Sequence, residues 1–155
     1  MIIGVHHVGL CVPDLDKAIE FYCGVLGMQD LWGGESDGTD DIFDRVIGLP
    51  DVKARMRMIR AGANFIELWE YKNPAPKPLD PNYPPSDRGF THIALQVTDI
   101  EAEHERLMKA GMTFAGPPVR MGPMAAVYGR DPFGNIVEIY EPYDPTIPQL
   151  PVPEA

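Results

Sequence analysis

Two stretches of the chain, HHVGLCVPDL at 6–15 and THIALQVTDI at 91–100, repeat one pattern under an offset of 85 residues. His7 falls on His92, Leu10 on Leu95, Val12 on Val97 and Asp14 on Asp99. A second match closes each copy: NFIELWE at 64–70 and NIVEIYE at 135–141 both read Asn-x-x-Glu-x-x-Glu. A repeat constrains architecture before local propensity is weighed, because each copy must build the same supersecondary unit.

After each His-bearing run comes an Asp suited to capping a helix, then a helical segment, then Gly-Met at 27–28 and 111–112. The first helix is predicted to bury Leu15, Ile19, Tyr22 and Leu26, and the second Ile100, Leu107 and Met108. Gly27 and Gly111 sit where left-handed C-terminal caps belong. The Asn-x-x-Glu-x-x-Glu runs are short and apolar and lie between turn signals, DPFG before the second among them, so they read as strands. Each copy is therefore strand–helix–strand–strand–strand. The predicted fold class is α+β: two βαβββ modules related by a pseudo-twofold axis, forming a cupped mixed sheet that encloses a metal site. The first module occupies 1–71 and the second 89–141. The His-to-Glu separation is 60 residues in the first copy and 46 in the second. The surplus predicts an insertion at 33–55, holding an acidic loop and a helix-like DIFDRVIGL. A Pro-rich linker, 72–88, joins the modules, and a Pro-rich extended tail, 142–155, follows.

Composition excludes several functions. With 155 residues, 45% of them hydrophobic, the chain can bury a real core. Its net charge of −10 disfavours nucleic acid and repels anionic membranes. No run is long enough to span a bilayer and no secretory leader is evident, so a cytoplasmic protein is expected. Cys11 and Cys23 have no metal or redox spacing and read as reduced, half-buried side chains.

Strand alternation turns the repeat into a site. Val8, Leu10 and Val12 share one face, leaving His7, Gly9 and Cys11 on the other; Ile93, Leu95 and Val97 likewise oppose His92, Ala94 and Gln96. In the closing strands Ile66 and Leu68 face the helix, with Phe65, Glu67 and Trp69 opposite. Val137 and Ile139 repeat this against Ile136, Glu138 and Tyr140. Each module thus puts one His and one Glu on its non-helix face, and pairing of the modules would bring the four together. Two imidazoles and two carboxylates suit one divalent metal ion (Ni, Co, Zn, Mn or Fe) and leave octahedral positions for a substrate with adjacent oxygens. A strand His or sheet-face Glu taken singly is more often structural, and duplication can copy structural residues too. Four at matched positions favour the ligand reading. His6 is expected to point away from His7, and His104, among Glu101, Glu103 and Glu105, to lie on a solvated helix face. Phe65, Trp69, Ile136 and Tyr140 would line a pocket for an apolar part of the substrate. Lys53, Arg55 and Arg57 alternate along one strand face, to attract a substrate anion or, as favoured, to offset Asp37, Asp40 and Asp41. Ile42, Phe43, Val46 and Ile47 mark the insertion helix as a lid or as static packing.

HHVGLCVPDLDKAIEFYCGVLGM, FIELWE, RGFTHIALQV and DPFGNIVEIYE together resemble the vicinal oxygen chelate superfamily of glyoxalases, bleomycin-resistance proteins and extradiol dioxygenases. The resemblance spans about 3–141 and implies paired βαβββ modules cupped around a metal, with His7, Glu67, His92 and Glu138 as ligands. The His-Glu-His-Glu set is most similar to metal-dependent glyoxalase I. That likeness implies a lyase or isomerase that chelates a small substrate and stabilises an enediolate or enolate after a metal-site Glu removes a proton. Glu138 and Glu67 are both candidates for the base, and the last-strand Glu138 is favoured because it matches functional positions in several branches. Arg88 matches a glutathione-gripping arginine and, with Phe65, Trp69, Gln96 and Tyr140, is expected to contact substrate. Gly24 stands where a second such arginine belongs and Met124 where a lysine does, which argues against glutathione itself. Two alternatives follow from other branches: an Fe(II) ring-cleaving dioxygenase, for which Glu67 is superfluous, and a metal-free drug-binding protein. Family members complete the site within one chain or across a dimer, and a homodimer is the expected assembly.

Overall fold

Asp14 and Asp99 start the two longer helical segments, as their positions predict. The Asp14 carboxylate accepts the Lys17 amide at 3.1 Å and that of Asp99 the Ala102 amide at 3.2 Å. The computed structural model describes residues 1–39 and 41–152. Asp40, one of the acids assigned to the insertion, and residues 153–155 of the tail lie outside the described residues. The chain divides into two compact units between Pro78 and Leu79. Among the described residues no helix is long and apolar enough to cross a membrane.

The first unit runs β1 (His7–Cys11), α1 (Leu15–Ile19), β2 (Gln29–Asp37), α2 (Asp41–Ile47), β3 (Lys53–Ala61) and β4 (Asn64–Asn73). Its sheet has the order β1-β4-β3-β2, with β1 parallel to β4 and the other pairs antiparallel. The helix continues past Ile19 as a wider π-helical segment, Glu20–Val25, in which Leu26 N–H bonds Phe21 C=O at 3.0 Å. That change of pitch shifts the buried stripe to Leu15, Ala18, Phe21 and Tyr22, leaving the predicted Ile19 and Leu26 half-exposed. Opposite them Ile59, Ile66 and Leu68 are buried, each such side chain contributing about 1.5–3 kcal/mol. Gly27 caps the helical segment at φ 72°.

Two expectations for this unit are corrected. Within the predicted 33–55 insertion the acidic loop is strand in its first part, because β2 continues through Asp37, and β3 begins at Lys53. Gly33-Gly34 reads as loop in isolation yet pairs in register with Arg57 and Met56. The basic face of β3 does not answer the insertion acids as a group. Lys53 pairs in register with Asp37, but Arg55 bonds Asp16 at 2.6 Å and Glu70 at 3.4 Å, and Arg57 binds Asp30.

The second unit runs β5 (Ile93–Gln96), α3 (Ile100–Lys109), β6 (Thr113–Phe114), β7 (Val119–Arg120), β8 (Met124–Arg130) and β9 (Ile136–Pro142). β5 is parallel to β9, and β9 antiparallel to β8. β6 and β7 both pair with β8, at different positions, as one strand interrupted around Pro117-Pro118. Each unit is thus a βαβββ-like module with a mixed sheet, and the class is α+β. Tyr83, from the predicted linker, is fastened to this unit: its carbonyl accepts from Arg130 at 2.5 Å, and its hydroxyl accepts from Ile136 N–H at 3.2 Å.

α3 corrects two further expectations. Its buried stripe is Ile100, His104 and Leu107, while Met108 is exposed. His104 is no solvated residue: its Nε2 lies 3.1 Å from Gly116 C=O and its ring packs 4.5 Å from Phe114. The spacing i, i+4, i+7 places it on the core side, and the carbonyl satisfies its polar atom there.

The second glutamate of each Asn-x-x-Glu-x-x-Glu run caps its own unit's helix. Glu70 accepts the Leu15 amide at 3.2 Å; Glu141 accepts those of Asp99 at 2.8 Å and Ile100 at 3.0 Å. The closing strand therefore anchors the helix start, where backbone donors have no partner within the helix.

Candidate functional site

In the first unit, sheet register builds one row from Gly9, Glu67, Met58 and Trp32, and the next from Cys11, Trp69, Met56 and Gly34. Side chains in such rows share a face, and this one is opposite the face on which Ile66 and Leu68 are buried against α1. His7 belongs to it, with Nε2 3.6 Å from Glu67 Oε2. Trp69 donates its indole N–H to the same Oε2 at 2.6 Å. The Trp69 ring stacks on Tyr71 at 5.3 Å and meets the edge of Phe43, from α2, at 5.6 Å. Gly34 lies beside that phenylalanine, where a Cβ would meet the ring at 3.5 Å, an ordinary van der Waals distance. The insertion helix therefore packs on the site face.

In the second unit, Ala94, Glu138 and Tyr128 form the corresponding row. His92 Nε2 lies 3.2 Å from Glu138 Oε2 and 3.4 Å from the Tyr128 hydroxyl. Burial pushes the Glu138 carboxyl above the ordinary carboxylate range, against an opposing pull from His92. Burial, and then the neighbouring Glu138 charge, likewise raise the Tyr128 phenol.

Each imidazole has a partner on its other nitrogen. His7 Nδ1 is 2.9 Å from His6 Nδ1, and His92 Nδ1 is 3.0 Å from Thr91 Oγ1. His6 does not point away as alternation predicts, because β1 starts only at His7; its ring stacks on Phe65 at 4.9 Å. Partners of this kind orient a histidine whose Nε2 is to serve as a ligand.

Each unit thus brings one predicted His and one predicted Glu together. This nitrogen–oxygen donor set suits a first-row divalent ion. Among the described residues no group of three or more His, Cys, Asp or Glu side chains is placed to hold a metal ion. A single unit presents half of the predicted ligand set.

Of the other predicted residues, Phe65, Trp69 and Tyr140 are half-buried on the site face and Ile136 is buried. Gln96 is engaged by the tail: its Nε2 donates to Leu150 C=O at 3.0 Å and its Oε1 accepts Leu150 N–H at 2.6 Å. Arg88 is exposed, and among the described residues it makes no hydrogen bond or ion pair with His92 or Glu138. Cys11 is exposed rather than half-buried, and Cys23 is half-buried; both are free thiols. Sequence reasoning missed Tyr128, Met56, Met58 and Trp32. Once β3 is read as pairing with β4, the alternation in ARMRMIR puts both methionines on the site face.

The model of the Glyoxalase/Bleomycin resistance protein/Dioxygenase superfamily matches residues 4–139. The chain belongs to this superfamily. Among curated superfamily relatives, a 2-epi-5-epi-valiolone epimerase from Actinomyces sp. is 34% identical over 145 residues, covering 88% of this chain and 78% of that protein. A lactoylglutathione lyase from Pseudomonas aeruginosa is 30% identical over 145 residues, covering 88% and 81%. A crystal structure of a glyoxalase family protein from Bacillus cereus superposes with a TM-score of 0.82 at 23% identity, covering 93% of this chain and 97% of that one, a likeness of fold.

Proposed function

We propose that this chain is a metal-dependent isomerase or lyase that removes a proton next to a carbonyl in a small substrate chelated through adjacent oxygens. The observation that carries the reading is the duplicated pair, His7 with Glu67 and His92 with Glu138, on the site face of each unit. His7, Glu67, His92 and Glu138 would hold the ion, two halves meeting within one chain or between two copies in a homodimer. A divalent ion bound there supplies Lewis-acid stabilisation of negative charge on the substrate oxygens.

Glu138 takes the proton. Its half-buried carboxyl favours the protonated form more than an ordinary carboxylate does. Glu67 is held by the Trp69 indole instead. Return of a proton to the opposite face of the carbon inverts that centre. Epimerisation is favoured over glutathione chemistry because the Actinomyces relative is an epimerase and because Gly24 and Met124 replace the basic residues implied for glutathione. Arg55 and Arg57, committed to Asp16, Glu70 and Asp30, do not serve a substrate anion. Phe65 and Trp69 on the first unit's site face and Tyr140 on the second's would meet an apolar part of the substrate, and Arg88 would be a polar contact; Gln96 would serve only if its bonds to Leu150 opened.

The test is elemental analysis of anaerobically purified protein, then incubation in D₂O with 2-epi-5-epi-valiolone or lactoylglutathione. Metal-dependent deuterium incorporation is expected in the wild type, falling about 100-fold or more in Glu138→Gln while metal content falls less. Exchange indifferent to metal, or equal in Glu138→Gln and wild type, refutes the assignment. Fe(II)-dependent oxygen uptake with catechols would point to ring cleavage instead.

A further inference from the structure

We propose that Trp69 is a positioning residue of this site, its indole N–H fixing the Glu67 carboxylate so that Oε1 is the oxygen left for a ligand. The inference rests on the metal-dependent reading above. Glu67 and Trp69 are two residues apart on β4 and project from the same face. The indole nitrogen sits on the five-membered ring near the backbone and folds back to Oε2 at 2.6 Å. His7 Nε2 stands 3.6 Å from the same oxygen, too far for a hydrogen bond, so it does not compete with the indole for Oε2. The indole is itself held between Tyr71, stacked at 19°, and Phe43, edge-on at 73°. Its donor is aimed before anything binds, and a charge-assisted bond of this length is of the strong kind.

The second copy of the repeat lacks the device. Tyr140 occupies the position of Trp69, and a phenol carries its hydroxyl at the far tip of the ring, out of reach of a carboxylate two residues back. The two glutamates of the repeat therefore differ: Glu67 is clamped, and Glu138 has His92 and Tyr128 for neighbours. The difference lies in one residue of each run, Trp in FIELWE and Tyr in IVEIYE.

Trp69→Phe deletes the N–H and keeps a ring between Phe43 and Tyr71. Full-length wild type, Trp69→Phe and Glu67→Gln are compared by calorimetric titration with Ni²⁺ or Co²⁺ and by ¹⁵N–¹H spectra of the indoles, of which Trp32 supplies the other. Trp69→Phe is expected to weaken metal binding about tenfold while its unfolding temperature stays within about 3 °C of wild type. The Trp69 indole proton is expected to move upfield in Glu67→Gln. Unchanged affinity in Trp69→Phe overturns the proposal, as does an indole resonance indifferent to Glu67→Gln. A wild type that binds neither ion defeats the metal-dependent reading, and the clamp is then decided by the indole resonance alone.

Discussion

Replacing Glu141 with Ala removes the acceptor at the start of α3, and the loss can be worked out donor by donor. The Ile100 amide, which bonds Glu141 at 3.0 Å, belongs to a residue with 0% exposure, so water cannot replace the carboxylate easily. An unsatisfied buried donor costs about 1–3 kcal/mol. The Asp99 amide, at 2.8 Å, belongs to an exposed residue and can rehydrate, so its loss costs about 0.5–1.5 kcal/mol. Asp99 also has φ 57°, a left-handed conformation that the Glu141 bond helps to hold. The sum over these two amides is about 1.5–4.5 kcal/mol, reading as a fall of about 0.7–2.2 M in urea midpoint at a slope near 2 kcal/mol/M. Both tryptophans lie in the first unit, so far-UV circular dichroism is the readout. The pH dependence supplies a second check. Burial pushes the Glu141 carboxyl up, but bonds from the Ile100 and Asp99 amides and the Tyr143 hydroxyl, with the Arg120 charge, together outweigh it and leave the group below its ordinary value. Stability from such a group is fully present above the unfolded value of about 4.3 and is lost as pH falls through the lower folded value. The gap between wild type and Glu141→Ala is therefore expected to be constant from about pH 6 to 8 and to close below about pH 4. A midpoint shift under about 0.3 M at pH 7, or a gap that widens in acid, refutes the cap.

Two further outcomes test the site and its surroundings. If the halves of the ligand set meet between copies, mixing unfolded-and-refolded His7→Ala with His92→Ala should restore about 25% of wild-type metal sites, because half the dimers are mixed and each carries one intact pairing. Either variant alone should restore none, and equilibrium dialysis of the mixture that also finds none assigns completion of the site to a single chain. Gln96→Ala removes both bonds to Leu150, worth about 2 kcal/mol together. Cleavage between residues 144 and 150 by a broad protease should then accelerate about 30-fold while the urea midpoint stays put, and an unchanged rate would show that those bonds do not hold the tail.

The fold and the two pairs were legible because a period of two along a strand, seen twice, leaves little freedom: once Ile66 and Leu68 face the helix, Glu67 must face the other way. What escaped was information carried between strands or at element ends. Phe43 meets Trp69 beside Gly34 of β2, and the register that sets Gly34 beside Met56 and Met56 beside Trp69 is not written in either segment alone. His6 lies before the first paired residue of β1, where alternation has no authority. His104 was hidden by its acidic neighbours although its spacing from Ile100 and Leu107 was that of a core position. The second glutamates, Glu70 and Glu141, were visible as a repeated letter with no assigned purpose. Their helix-capping role gives the whole Asn-x-x-Glu-x-x-Glu run a physical meaning: one carboxylate faces the site and the other, three residues on, faces the helix. Odd spacing on a strand forces that division of labour. A glutamate moved by one position would put both carboxylates on one face, losing the cap or the ligand.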